Sequence, residues 1–207
     1  MKTRTKSARL LLAEVQQILN RRPNPRPQAT VEELVELLHE QRQYLWIGIY
    51  LVSGNEAVCQ AFRGPEPVRR SFTFGEGSVG AAAQSGTIKL VPDVAKSFAH
   101  AACLPQTKSE MAVPIKIASR VLGVLAVQSE RPDAFSYPEQ VLLRRLGRVL
   151  SRFLVSSGGK LLLRKQRAKT AAVVKPAAEP KLNPASDHTA RLPMPKRRAA
   201  AGVATVS

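Results

Sequence analysis

The feature that most constrains the fold is a change in hydrophobic period near residue 44. Before it, apolar residues recur every three or four positions, which predicts a helix over about residues 31 to 42. The residues on that apolar face are Val31, Leu34, Val35 and Leu38. After it, "YLWIGIYLV" and "EAVCQAF" are rich in aromatic and β-branched residues, and Ser53, Gly54 and Asn55 separate them. The sequence therefore predicts a helix followed by a β-hairpin.

Further strand-like segments extend this hairpin into an antiparallel sheet. These segments cover residues 68–74, 87–91, 110–117 and 121–128. The last two are joined across Ser119 and Arg120, which predicts a second hairpin. The stretch "SVGAAAQSG" predicts a short helix that is capped by Ser78 and ended by Gly86. Hairpins with one inserted helix indicate an α+β fold.

Capping signals place the ends of the other helices. An N-terminal helix is predicted over residues 7 to 20, because the prolines of "RRPNPRPQAT" stop it. Capping boxes are formed by Thr30 with Glu33 and by Ser136 with Glu139. The second box precedes a closing helix, which we expect to pack on the sheet or on a partner. Its apolar stripe contains Val141, Leu142, Leu146, Val149, Leu150 and Phe153.

Composition divides the chain into three parts. Residues 1–29 form the N-terminal helix and a proline-rich linker, residues 30–157 a globular domain, and residues 158–207 a tail. The tail is rich in Ala, Pro and Lys and supplies +9 of the net charge of +17. We expect it to be mostly disordered, because it lacks an apolar period after about residue 170. Such a tail either binds nucleic acid nonspecifically through phosphates or keeps the protein in solution.

Cysteine and histidine usage excludes several classes of site. Two cysteines cannot build a disulfide framework, and with three histidines no zinc-ligand spacing appears, so we expect no metal and no cofactor. The early apolar run "RLLLAEVQQIL" is interrupted by Glu14, Gln16 and Gln17 before a signal-peptide core or a membrane span could form. We therefore expect a cytoplasmic protein without a membrane partner.

The stretch "HAACLPQTKSEMAVPI" contains the first candidate for chemistry, Cys103. Its thiol could be a reactive group of lowered pKa helped by His100, or a small buried filler, as free cysteines often are. Glu110, in the same stretch, could be a surface acid or a pocket carboxylate. Trp46 and Tyr50 are four apart in a predicted strand and so share one side, which suits a ligand wall or an ordinary core.

From about Thr30 to Phe153 the pattern resembles a GAF domain, the antiparallel-sheet sensor fold. Within that superfamily it is most similar to the free methionine-(R)-sulfoxide reductases. Five segments carry the resemblance in the same order and at similar spacings: "WIGIY", "GEGSVG", "LVPDV", "HAACL" and "SEMAVPI". The resemblance implies a ligand pocket, with Cys103 as the reactive cysteine and His100 beside it. It also implies that Trp46 and Tyr50 form the aromatic wall and that Glu110 contacts the substrate.

The sequence departs from that family at specific positions. Two of the three family cysteines are missing, because Val79 occupies the second position and Arg69 and Arg70 stand at the third. A sulfenic acid formed on the remaining thiol would therefore need an outside thiol to restore it. Ala126 and Gln128 stand where the family has two aspartates, which implies weaker binding of the substrate's ammonium group.

These observations support three functional hypotheses. The leading one is a binding or sensory GAF module, with an unidentified small-molecule ligand, that retains a pocket and has lost the redox relay. The second is an active free methionine-(R)-sulfoxide reductase that uses Cys103 and an external thiol. Cys59 could substitute as a partner thiol, although its place in a predicted strand favours the core. The third is a nucleic-acid-associated protein in which the basic tail supplies affinity. We also expect a homodimer formed through the amphipathic terminal helices.

Overall fold

The structure, a computed structural model, describes residues 6–21, 26–97 and 104–157. The predicted tail lies outside these ranges. The helices are α1 (Ala8–Leu19), α2 (Pro27–Arg42), α3 (Gly77–Ser85) and α4 (Tyr137–Ser156). The strands are β1 (Trp46–Ser53), β2 (Glu56–Arg63), β3 (Ser71–Thr73), β4 (Lys89–Val91), β5 (Ser109–Ile117) and β6 (Arg120–Ser129). A short 3₁₀ turn, Val94–Lys96, follows β4.

The six strands form one antiparallel sheet in the order β3-β2-β1-β6-β5-β4. Both predicted hairpins are present, β1 with β2 and β5 with β6. The second hairpin turns at Ala118 and Ser119, one residue earlier than predicted, and Ala118 takes the left-handed φ of 51°. The α+β prediction is confirmed.

The alternation of side chains along β1 gives the sheet two different faces. Ile47 and Ile49 point to the helix-bundle face, whose core includes residues of α1, α2 and α4. Trp46 and Tyr50 point to the opposite face, which is covered by α3 and is called here the α3 face. A bulge at Gln60 lets β2 supply Ala61 to the first face and Cys59 to the second.

The N-terminal helix belongs to the same core as the sheet. The helix predicted over residues 7 to 20 is present as α1, and Ser7 caps it, its hydroxyl oxygen accepting a hydrogen bond from the Leu10 N–H at 3.4 Å. Leu11, Val15 and Leu19 then pack into the cluster formed by α2, α4 and the sheet.

Two of the predicted caps are wrong. Helix α2 begins at Pro27, whose fixed φ suits the first helical position, so Thr30 lies inside the helix and donates to the Arg26 carbonyl at 3.3 Å. Helix α3 begins at Gly77 rather than after Ser78, with Glu76 as its N-cap residue. The Glu76 carboxylate accepts from the Thr73 N–H at 3.1 Å and fastens the end of β3 to this helix start.

The capping box at the start of α4 does not form either. Ser136 is the N-cap residue and makes no side-chain capping bond. Glu139 points inward and binds the partly exposed Arg42 and the buried Tyr44, because hydrogen bonds to an ionised carboxylate are stronger than a neutral capping bond.

Within the described ranges, no helix combines the length and the apolar character that crossing a membrane requires.

Candidate ligand site on the α3 face

Trp46 is fixed on the α3 face by the glycine two residues after it. A Cβ added to Gly48 would lie 2.2 Å from Trp46 Cη2, so the indole lies flat across the Gly48 backbone. Gly64 is also close, because a Cβ added there would lie 2.3 Å from the Leu45 carbonyl oxygen and 3.1 Å from Trp46 Cδ1. The glycines in "WIGIY" and "FRG" therefore create the space that the indole fills.

Four aromatic rings form a continuous row on this face. Trp46 stacks on Phe62, with ring centroids 6.0 Å apart and an interplanar angle of 17°. It also contacts Tyr50 at 6.0 Å, and Tyr50 meets the edge of Phe72 at 5.9 Å. Trp46 and Tyr50 are both fully buried. The structure thus brings the two predicted wall residues together in one aromatic row.

The indole N–H of Trp46 is a buried donor without an acceptor in the described parts of the chain. Leaving a buried donor unpaired costs about 1–3 kcal/mol. Among the described side chains, the Trp46 indole nitrogen is therefore the one buried polar atom that has no hydrogen-bond partner.

A buried polar chain lies beside Trp46. The strand register places Gln128 opposite Trp46 on one side and opposite Glu110 on the other. The Thr107 hydroxyl donates to Gln128 Oε1 at 2.8 Å, and Gln128 Nε2 donates to Glu110 Oε2 at 3.3 Å. All three side chains are buried, so Glu110 is a buried acid rather than a surface one.

The next row of the sheet is made of small residues. Gly48, Ala126 and Ala112 are paired across β1, β6 and β5. Val79 and Ala82 of α3 pack into the same apolar cluster. The short side chains leave the space between sheet and helix to the aromatic row.

Val79, Arg69 and Arg70, the positions at which the resemblance led us to look for cysteines, pack or pair within the fold. Val79 is buried in the apolar cluster under α3. Arg69 pairs with Glu76 at the surface, and Arg70 pairs with Glu66 while its guanidinium lies 4.8 Å from the Phe62 ring centroid. These residues stabilise the edge of the α3 face.

The structure places only one of the two cysteines. Cys103 and His100 lie outside the described residues. Cys59 is buried, stands opposite Tyr50 on the α3 face, and has its Sγ 3.7 Å from the Ala61 carbonyl oxygen. No group of three or more His, Cys, Asp or Glu side chains in residues 6–21, 26–97 and 104–157 is arranged to hold a metal ion.

A second buried polar cluster was not foreseen from the sequence. The Tyr44 hydroxyl donates to Glu139 Oε1, and Arg42 Nε donates to the same oxygen at 3.0 Å. Burial raises the pKa of Tyr44 above its ordinary value, and the neighbouring Arg42 opposes this. Glu139 was assigned to a cap, because the spacing from Ser136 gave no sign of residues about 95 positions earlier. The cluster ties the chain just before β1 to α4.

Comparison with known proteins gives consistent results. The GAF domain family matches residues 26–154. GAF domain-containing protein A of Dictyostelium discoideum is 33% identical over 123 residues, which cover 59% of this chain and 77% of that protein. Free methionine-R-sulfoxide reductase of Saccharomyces cerevisiae is 30% identical over 114 residues, which cover 53% of this chain and 63% of that protein. The structure of free methionine-R-sulfoxide reductase from Neisseria meningitidis in complex with its substrate superposes with a TM-score of 0.68 at 26% identity. That superposition covers 76% of this chain and 95% of that one.

Proposed function

This chain belongs to the GAF domain family and is related to the free methionine-R-sulfoxide reductases, and on that premise we propose that it is a small-molecule-binding sensory module without a complete reductase relay. The ligand we propose is a small molecule with an apolar part and at least one hydrogen-bond acceptor.

One observation supports this proposal: the buried indole N–H of Trp46, which has no acceptor among the described residues, lies beside the Gln128–Glu110 pair. Residues directly opposite each other in neighbouring strands have Cβ atoms about 4.5–5.5 Å apart. A ligand near Trp46 is therefore within reach of Gln128. The aromatic row supplies the apolar contact, which is the common composition of small-molecule sites.

Other residues on or beside the α3 face argue against efficient sulfoxide reduction. A thiolate that removes the sulfoxide oxygen becomes a sulfenic acid, and a second thiol must then reduce it with loss of water. Val79 supplies no such thiol, and Arg69 and Arg70 are engaged in surface ion pairs. Ala126 and Gln128 add no negative charge for a substrate ammonium group, so amino-acid binding is weakened.

Binding is tested by the fluorescence of Trp46, because the chain contains only one tryptophan. We expect free methionine, its R-sulfoxide or another member of a panel of amino acids to change the emission in a saturable way. Glu110→Gln should weaken that binding, because it removes the buried charge next to Gln128. Glu130→Gln changes an exposed acid and is the matched control. No response to the panel, or equal affinity in both variants, contradicts the proposal.

Catalysis is tested separately by turnover of free methionine-R-sulfoxide with dithiothreitol as the reductant. We expect near-background rates that are equal in the wild type and in Cys103→Ser. Robust turnover that this substitution abolishes would make the chain an active reductase using Cys103 and an external thiol. Binding without turnover would support the sensory module.

We also propose a homodimer formed through the terminal helices. Helices α1 and α4 pack together, and each presents a large apolar side chain to solvent, Leu10 at 63% and Val155 at 55% exposure. Sedimentation over a range of concentrations tests this. A concentration-independent monomer excludes it.

A further inference from the structure

Helix α4 carries four exposed arginines and has no acidic residue after its first turn. They are Arg144, Arg145, Arg148 and Arg152. At about 3.6 residues per turn they fall within an arc of about 100°, and they span about 12 Å of helix. No carboxylate in the described ranges pairs with any of them. Glu139, the acid of the first turn, is engaged by Arg42 and Tyr44.

Two of these arginines line a groove between α4 and β5. The groove has a volume of about 290 Å³, and Arg144 and Arg148 stand on its α4 side. Lys116 lies across from them, and its Nζ donates to the Gly86 carbonyl at 2.7 Å, which holds the ammonium group in place. Gly147 lets α4 approach β5 closely, because a Cβ added there would lie 3.1 Å from Val113 Cγ1.

This concentration of positive charge is unfavourable unless a bound anion neutralises it. Like charges at i and i+4, such as Arg144 with Arg148 and Arg148 with Arg152, destabilise a helix. Some arginines on other elements are neutralised, as in Arg21 with Glu33 and Arg63 with Glu36, whereas α4 holds four unpaired guanidinium groups on one helix face within the described ranges. We propose that the arginine face, meaning the four α4 arginines together with Lys116, binds the phosphate backbone of duplex nucleic acid.

The extent of the arginine face favours a polymer over a small anion. A single phosphate in the groove reaches Lys116, Arg144 and Arg148, whereas Arg152 lines a separate groove with Gln16 and Asn20. Along one strand of duplex DNA the phosphates are about 3.4 Å apart, so a row of about 12 Å spans about three or four phosphates, close to the number of arginines. The residues that line the main groove include no aromatic ring for base stacking, which indicates sequence-independent binding.

A second copy of this chain is the competing occupant, through the acidic surface of α2. Of the four glutamates of that helix, Glu33 and Glu36 are already paired with Arg21 and Arg63. Glu32 and Glu40 are left, which is too few to neutralise the four arginines of α4 together with Lys116. Nucleic acid is therefore the occupant that the charges favour.

The test uses the full chain and a fluorescein-labelled DNA duplex, with anisotropy measured over a series of potassium chloride concentrations. The triple variant Arg144→Gln, Arg145→Gln, Arg148→Gln leaves the tail unchanged. If these side chains contact phosphates, the slope of log K against log salt should flatten by about 2.7, because each contact contributes about 0.9. Affinity at low salt should fall at least about tenfold, since three phosphate contacts are lost.

The control is the variant Arg21→Gln, Arg63→Gln, Arg69→Gln, which removes the same net charge from arginines that glutamates already neutralise. It should retain the wild-type slope. The variant Arg144→Lys, Arg145→Lys, Arg148→Lys should also retain the wild-type slope, because phosphate binding requires the positive charge rather than the shape of the guanidinium group. Far-UV circular dichroism confirms that each variant is folded.

Several results would overturn the proposal. An unchanged salt slope in the α4 variant would mean that DNA binds elsewhere on the chain. An equal loss of slope in the control variant would mean that only the net charge of the protein matters. Saturable binding of inorganic phosphate in the groove without duplex binding assigns the site to a small anion. Loss of self-association in the α4 variant with unchanged DNA affinity assigns the face to a second copy.

Discussion

At the residue scale, the candidate site depends on what is missing as well as on what is present. Gly48 lacks a side chain, and the Trp46 indole occupies the volume that a Cβ would need. Thr107, Gln128 and Glu110 form a buried polar chain. Each of these features gives a substitution with a defined expected effect.

Gly48→Ala should displace the Trp46 indole, because the new Cβ would overlap it. Overpacking of this kind costs about 1–3 kcal/mol. We expect a loss of that size in the free energy of unfolding, together with a red shift of Trp46 emission. Gly54→Ala is the control, since its turn position has φ +58° and open space around it, so it strains the backbone without moving the indole. Unchanged emission in Gly48→Ala would show that the indole packs elsewhere.

Thr107→Val should leave Gln128 Oε1 without its 2.8 Å hydrogen bond. An unsatisfied buried acceptor costs about 1–3 kcal/mol, so we expect destabilisation within that range in urea denaturation. Thr87→Val removes an exposed hydroxyl that lies 2.8 Å from Ser85 Oγ and should have little effect. Equal stabilities of the two variants would contradict a buried polar chain.

At the element scale, the Arg42–Glu139–Tyr44 cluster joins the end of α2, the start of β1 and the first turn of α4. These three elements are brought together by side chains that are far apart in sequence. The cluster therefore fixes the positions of α2 and α4 relative to the start of β1.

Glu139→Gln should weaken this junction. It removes the charge that binds Arg42 and reduces the hydrogen bonding available to the buried Tyr44 hydroxyl. Breaking a fully buried pair costs about 3–5 kcal/mol, and because Arg42 is partly exposed we expect about 2 kcal/mol in chemical denaturation. Glu36→Gln breaks the exposed pair with Arg63 and should cost less than about 1 kcal/mol. A reversed order of the two effects would contradict the assignment.

The raised pKa of Tyr44 gives a pH dependence of stability. The unfolded tyrosine loses its proton near its ordinary pKa of about 10, whereas the folded one keeps it. The contribution of Tyr44 is therefore complete below pH 10 and is lost as pH rises above that value. We expect the wild type to lose up to about 1.4 kcal/mol per pH unit there relative to Tyr44→Phe. Parallel stability curves for the two proteins would refute a buried neutral tyrosine.

The period of the hydrophobic residues predicts which segments form helices and strands, but it does not predict the residues at which they begin and end. The change of period near residue 44 places α2 and the first hairpin correctly, and period 2 puts Trp46 and Tyr50 on one face. The start of α2 was misplaced because Pro27 begins the helix before Thr30. The Gln128–Glu110 contact depends on the pairing of β5 with β6 and on rotamers, neither of which a single sequence specifies.

At the scale of the whole molecule, charge is distributed unevenly over the chain. Residues from Gly158 onward contain 11 Lys or Arg against 2 acidic residues, and α4 immediately before them carries the arginine face. We propose that the tail adds nonspecific phosphate contacts to those of α4.

Ending the chain after Ser157 should therefore lower affinity for duplex DNA and flatten its salt dependence. A residual slope of about −3 to −4.5 should remain, from three to five phosphate contacts on the arginine face. Adding Arg144→Gln, Arg145→Gln and Arg148→Gln to the shortened chain should flatten that residual slope by about 2.7, leaving at most the contacts of Arg152 and Lys116. Retention of the full slope by the shortened chain would exclude the tail, and its complete loss would exclude α4.

The hydrogen bond from Gln128 to Glu110 determines what a second acid at this place would do. Gln128→Asp would put a carboxylate in place of the amide donor, directly across the strand pair from Glu110. Two buried carboxylates side by side repel each other unless a cation lies between them. The amide has no such requirement, because its N–H group donates to Glu110 within the fold itself. The buried acid therefore keeps a hydrogen-bond partner whether or not a ligand is bound.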